Sequence, residues 1–256
     1  MKALPDRGAS RSNLTDPSRF PGVWRGGELD RAVPAGIPTG FVRLDAELPG
    51  AGLPHAGLVE VLHEGAGLGE LSLLMGALSQ VAREGRAIGW IHPPHLPYAP
   101  ALASAGVPLE ACLVVRPASA DDALWSADQA LRSGACGAVL FWLPANTSYA
   151  WLRRLQLAAE SGRCLALHFR GAACASQATP AHLRLLVSQH DGQLLVSLPK
   201  RRGPPLMRPI AIDIPGRPVM RRRASLAPQQ APAAQVSLNI HSIARHAARA
   251  PDPASP

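Results

Sequence analysis

Gly57-Leu58-Val59-Glu60-Val61-Leu62-His63-Glu64-Gly65-Ala66-Gly67-Leu68-Gly69-Glu70-Leu71 reads as a strand, a glycine-rich turn and the first residue of a helix. Residues 57–62 form a short apolar run of the kind a buried strand needs. Beyond the turn, Leu71, Leu74, Met75, Leu78 and Val81 recur at helical spacing, so a helix is expected from Leu71 to Val81. Strand, glycine loop and helix make the setting in which a P-loop, G-x-x-x-x-G-K-S/T, cradles phosphate. With the last glycine of that pattern on Gly69, the lysine position holds Glu70 and the hydroxyl position holds Leu71, in a loop that Glu64 opens. A carboxylate repels β- and γ-phosphates, and leucine cannot ligate magnesium. The scaffold of a nucleotide loop is expected here without its chemistry.

Outward from this segment, apolar runs alternate with amphipathic stretches. The runs are Leu58–Leu62, Ala87–His92, Cys112–Val115, Ala138–Leu143 and Cys164–Phe169. Each is short and nearly continuous, as strands buried on both faces are, which argues for an α/β fold with a mostly parallel twisted sheet flanked by helices. Ser119, with Asp122 three residues on, caps a helix reaching Arg132. Leu152, Leu155 and Ala159 share a helical face, with Arg153, Arg154, Gln156 and Glu160 expected to point outward. Asp191-Gly192 between His182–Gln189 and Gln193–Leu198 is a hairpin signal, and Met207–Ile214 reads as a last strand. The expected organisation is a disordered N-terminal tail over residues 1–20, a lead-in over 21–49, a core domain over 50–215, and a basic, Pro/Ala-rich, disordered tail over 216–256.

The 256 residues suffice for one sizeable core. No apolar run spans a bilayer, and residues 1–20 lack the apolar stretch of a signal peptide, so a cytoplasmic protein with no membrane partner is expected. Cys112, Cys136, Cys164 and Cys174 form no C-x-x-C pair and read as buried free thiols rather than a metal site. The net charge of +8 is confined to residues 200–256, which carry 10 basic and 2 acidic side chains, while residues 1–199 balance. The two lysines, Lys2 and Lys200, both lie far from any glycine loop that follows a strand. A lysine-dependent phosphate site is therefore not expected anywhere, and no cofactor is called for.

Two stretches, Gly40-Phe41-Val42-Arg43-Leu44-Asp45 and Leu53-Pro54-His55-Ala56-Gly57-Leu58-Val59-Glu60-Val61, resemble the approach of a RecA-type recombinase core to its P-loop. A closer resemblance is to the ImuA family, RecA-like proteins of bacterial translesion-synthesis cassettes. It is carried by residues 23–29 (VWRGGEL), 44–50 (LDAELPG), 68–71 (LGEL), 90–100 (WIHPPHLPYAP), 152–160 (LRRLQLAAE) and 199–203 (PKRRG). The resemblance implies a RecA-like core. It also places Pro94 where RecA-type ATPases carry the glutamate that activates water, and Trp142 where they carry the aspartate that holds magnesium. With Glu70 and Leu71, four catalytic positions hold groups unable to do the work. The implied function is a non-catalytic accessory role in SOS-induced, error-prone translesion DNA synthesis, nucleoid-associated after damage. The implied partners are an ImuB-type inactive Y-family polymerase and an error-prone replicative-type polymerase, with RecA and the sliding clamp as further candidates. Two alternatives stay open: a divergent RecA-family ATPase, and a SulA-like inhibitor of cell division in the SOS response.

The remaining motifs each carry two readings. His92 and His95 flank two prolines, as a metal pair or, preferred here, a rigid docking loop with apolar Trp90, Pro97 and Tyr98. Lys200, Arg201 and Arg202, with Arg221, Arg222 and Arg223, read as phosphate contacts to DNA or as solvated charge. Residues 170–180 fall where recombinases carry a DNA-contacting loop, but this version is poor in charge. Gln235-Val236-Ser237-Leu238-Asn239-Ile240 resembles a sliding-clamp peptide anchored by Gln235, Leu238 and Ile240, or else belongs to a short tail helix.

Overall fold

The computed structural model describes residues 34–65, 67–190, 193–204 and 206–214. Eight strands form one sheet in the order β3-β2-β4-β5-β1-β6-β7-β8. The strands are β1 (Gly57–His63), β2 (Ala87–Ile91), β3 (Cys112–Val115), β4 (Cys136–Trp142), β5 (Leu165–Gly171), β6 (Leu183–His190), β7 (Gln193–Lys200) and β8 (Ile210–Ile212). The first six are parallel, and β1 lies between β5 and β6, with Val59 opposite both Leu167 and Leu183. β6 and β7 pair antiparallel from Arg184↔Lys200 to His190↔Gln193, which is the expected hairpin, and β8 adds antiparallel to β7. The expected turn residues Asp191 and Gly192 lie outside the described residues. So do the N-terminal tail, Val23–Leu29 of the resemblance, and the C-terminal tail with Arg221, Arg222, Arg223, Gln235, Leu238 and Ile240.

Alternation along each strand feeds two cores. On one face Val59 and Val61 pack with Ile88, Trp90, Leu140, Leu167 and helix α2 (Met75–Arg83). On the other, Leu58, Val139, Phe141 and Ala166 pack with α4 (Ala120–Arg132) and α5 (Tyr149–Ser161). The lead-in joins the first core from residue 34 onward. Ile37 bridges Leu53, and the short α1 (Val42–Asp45) buries Leu44. Asp45 closes this segment by accepting from the Thr39 amide and hydroxyl at 2.9 and 2.7 Å.

Four local differences from the sequence reading have physical causes. α2 starts at Met75, because residues 71–74 form turns with Ser72 N donating to Gly69 O and Leu74 N to Leu71 O. Those turns bury Leu73 and Leu74 side by side, which a regular helix would rotate apart. Gln156 does not point outward. It is buried, accepts the Leu58 amide at 2.7 Å and donates to Glu160 at 2.6 Å, satisfying a strand amide that a core leucine would orphan. β8 is shorter than Met207–Ile214; Pro209 cannot donate to a ladder, and Met207 is exposed. A helix not anticipated, α3 (Ala99–Ser104), carries Pro100 in its first turn, where a missing N–H costs nothing.

Polar ties join the elements. Ser119 accepts from the Asp122 amide at 3.1 Å, the expected cap. Asp128 of α4 binds Arg154 of α5 through both carboxylate oxygens and Arg132 of its own helix. Burial pushes its carboxyl up, but these hydrogen bonds outweigh burial and hold it below the usual carboxylate range. Arg86 ties together the amino ends of β2, β4 and β5, donating to Arg163 O (2.7 Å), Cys136 O (2.8 Å), Gly134 O and Gly162 O (both 3.3 Å). Arg86→Ala should cost about 2 kcal/mol in urea denaturation, since those carbonyls lose a charged donor; Arg86→Lys, with one ammonium for four acceptors, should restore only part. The four cysteines are free, with Cys136, Cys164 and Cys174 buried and Cys112 half-buried. Burial pushes the thiols of Cys112, Cys136 and Cys164 up, the condition of unreactive sulfur.

Candidate functional site

Because the first six strands are parallel, their carboxyl ends share one edge, where open α/β sheets bind ligands. The loop after β1 brings Glu64, Gly69, Glu70 and Leu71 together there. Trp142 ends β4, two places away with β5 between, and Pro94 lies in the loop after β2. All six expected nucleotide-site positions therefore fall on this edge.

Glu64 and Pro94 are exposed, whereas Leu68 and Leu71 turn down onto the first core. Trp142 also packs on that core. Its ring stacks on Phe169 at 4.5 Å and on Trp90 at 6.2 Å, an aromatic ladder across β5, β4 and β2. A side chain committed to that ladder supplies no oxygen to a metal ion. Gly67 and Gly69 adopt positive φ, +78° and +99°. The Gly67 amide donates to Glu70 Oε1 at 3.2 Å, and Glu70 Oε2 is buried with no hydrogen-bond partner.

A second feature of this edge escaped the sequence reading. Glu60, wholly buried in the middle of β1, receives two arginines: Arg170 Nη1 at 3.0 Å from β5 and Arg184 Nε at 2.5 Å from β6. Both arginines also hold loops. Arg184 donates to Ala175 O (2.6 Å) and Cys174 O (3.2 Å), and Arg170 to Gln177 Oε1 (2.6 Å) and Ala145 O (2.8 Å). The segment where a recombinase would present a DNA loop is thus fastened to the sheet beneath. The available signal was Glu60 inside a run expected to be buried on both faces, Arg170 directly after another such run, and Arg184 inside the first strand of the expected hairpin.

His168, opposite Glu60 on β5, is fully buried and stacks on Phe141 at 4.9 Å. Its Nδ1 is 3.9 Å from Glu60 Oε1, beyond hydrogen-bond reach. Burial, and secondarily the charge of Arg170, hold its pKa well below the ordinary 6.5, so the folded state keeps it neutral. A depressed folded pKa gives stability that is complete above 6.5 and lost as pH falls, because only the unfolded chain takes the proton. Below pH 6.5 the slope should approach about 1.4 kcal/mol per pH unit, a loss of roughly 2 kcal/mol between pH 7 and pH 5 from this group alone. Denaturation of wild type and His168→Phe at pH 7 and pH 5 checks this; an equal loss in both would refute it.

The remaining expected site residues are dispersed. Lys200 Nζ donates to Thr179 O at 2.9 Å. Arg201 turns inward, pairing with Glu47 Oε2 at 2.8 Å and donating to the Glu47 and Pro204 carbonyls. Arg202 is exposed. His92, with φ of 53°, and His95 are both exposed, beside exposed Leu96 and Tyr98. Among the described residues no group of three or more His, Cys, Asp or Glu is placed to hold a metal ion, and no helix is long and apolar enough to cross a membrane.

Comparison with known proteins gives a sequence-profile match over residues 58–166 to the family described as cell division inhibitor SulA. The cell division inhibitor SulA of Edwardsiella piscicida is 39% identical over 116 residues, covering 45% of this chain and 68% of that protein. RecA of Clavibacter michiganensis subsp. michiganensis is 31% identical over 140 residues, 55% of this chain and 37% of RecA. RecA of Saccharopolyspora erythraea is 31% identical over 169 residues, 63% and 46% respectively. The chain therefore spans less than half the length of these RecA proteins. Among solved structures, SulA from Pseudomonas aeruginosa is 28% identical, covering 44% of this chain and 97% of that one, with a TM-score of 0.38.

Proposed function

This chain belongs to the SulA family, within a SulA/RecA-like superfamily, and on that premise we propose that it is a non-catalytic SOS-response protein of the ImuA type, acting in error-prone translesion DNA synthesis. It works by contact. Its partners are an ImuB-type inactive polymerase and an error-prone replicative-type polymerase, with RecA and the sliding clamp as further contacts and DNA met weakly or through partners. The observation that carries this reading is the loop after β1, where a carboxylate stands in the lysine position and its neighbours are built into the core. Such a loop lacks the cation that phosphoryl transfer needs. Similarity to RecA over as many as 169 residues supports a protein larger in scope than the stretch matching SulA, which ends at residue 166, before Arg170, β6, β7 and β8.

The test is co-expression with the ImuB-type and replicative-type partners, followed by size analysis with and without ATP. A complex indifferent to nucleotide supports the reading. ATP turnover by the purified chain, or no association with either polymerase, overturns it.

A second reading, inhibition of cell division, is favoured by the 39% identity to a protein so described. Overproduction in undamaged cells separates the two: filamentation favours the inhibitor, and division at normal length removes it.

A further inference from the structure

We propose that Glu70 is the phosphate loop's own resident anion, a carboxylate tethered where a phosphate group would otherwise sit, so that the loop is closed without any ligand. The inference rests on the reading of this loop as non-catalytic and says what has replaced the nucleotide. Gly67 and Gly69 have positive φ on either side of Leu68, the alternation that turns successive backbone N–H groups toward one concave side and makes an anion-binding nest. The carboxylate is found against that turn, with the Gly67 amide donating to Oε1 at 3.2 Å.

Two further observations give the contact its direction. Glu70 Oε2 is buried although no side-chain cation among the described residues meets it. An oxygen held out of water favours positive potential, and the glycine turn supplies it through the backbone, with the Gly67 amide on the other oxygen of the same carboxylate. Leu68 and Leu71, packed on the core around Glu70, fix where the carboxylate can reach. Phosphate is then excluded twice, by an occupied nest and by like charge. In a P-loop the residue at this place attracts the phosphate; here it takes the phosphate's role.

Removing the carboxylate should therefore take its contact from the Gly67 amide and open the turn to an external anion. The experiment uses the full chain as wild type, Glu70→Ala and Glu70→Gln, with inorganic pyrophosphate as the probe. In Glu70→Ala, hydrogen exchange at Gly67 should quicken about tenfold, and about 10 mM pyrophosphate should raise Tm by a few degrees. Wild type should show no pyrophosphate shift. Glu70→Gln keeps an acceptor oxygen of the same reach, so Gly67 should stay protected. Unchanged Gly67 exchange in Glu70→Ala, or no response of that variant to pyrophosphate, would overturn the tethered anion and leave the proposed function standing. A pyrophosphate or ATP response in wild type would count against both.

Discussion

Glu60→Gln should destabilise the protein by about 3–5 kcal/mol, the usual cost of removing one partner from a buried ion cluster. The substitution keeps size and shape, so the loss is electrostatic. Glu60 is fully buried and pairs with both Arg170 at 3.0 Å and Arg184 at 2.5 Å, themselves nearly inaccessible, offsetting one of their two charges. Without it, two guanidinium groups remain in the sheet with only carbonyl and amide dipoles for company. His168 stays neutral beside them and adds no charge of its own. The same variant should loosen residues 171–182, because Arg170 and Arg184 are the groups that hold Gln177, Ala175 and Cys174. Urea denaturation and limited proteolysis read the two effects separately. Joint replacement of Glu60, Arg170 and Arg184 by apolar residues of similar volume should recover most of the stability, since buried ion clusters rarely outdo good packing. It should not recover protection of the loop. A loss under about 1 kcal/mol in Glu60→Gln would mean that the arginines find other counter-charges and that the cluster does not hold the loop.

That cluster marks how far the sequence could be read. Strands and helices were legible wherever one physical rule decided them. Continuous apolar runs gave the buried parallel strands, and Ser119 with Asp122 gave the start of α4. That Glu64, Gly69, Glu70, Leu71, Pro94 and Trp142 share one edge was also legible, since a loop after a parallel strand must emerge at the carboxyl edge. What stayed hidden were long-range choices. Nothing local places Arg184 beside a glutamate 124 residues away, or sends Gln156 inward to Leu58. The same holds for Arg201, which reads as a free cation until Glu47 is folded against it. Helix periodicity failed at residues 71–74 because apolar spacing records which side chains are buried, not whether the backbone between them is yet regular.

Gly76→Val should cost roughly 3 kcal/mol, although valine is at least as good a helix former as glycine. Gly76 sits in the first turn of α2, where the intrinsic scale would favour almost any other residue. Its reason is tertiary. A Cβ there would lie 2.2 Å from Thr39 O and 2.8 Å from the Thr39 carbonyl carbon. Both obstacles are backbone, in a segment that Asp45 already holds through the Thr39 amide and hydroxyl, so neither can swing aside as a side chain would. Alanine sets the two effects against each other most plainly. It gains about 1 kcal/mol of helix propensity yet brings the same Cβ into the same carbonyl, and a net loss near 2 kcal/mol is expected. Gly65→Ala is the control, because a Cβ at Gly65 meets nothing within 4 Å, and its effect should stay within a few tenths of a kcal/mol. If the Gly76 variants were as stable as wild type, the close packing of residues 36–45 on α2 would have to be abandoned. Residues 34–53 would then become a detachable lead-in rather than part of the core beneath the phosphate loop.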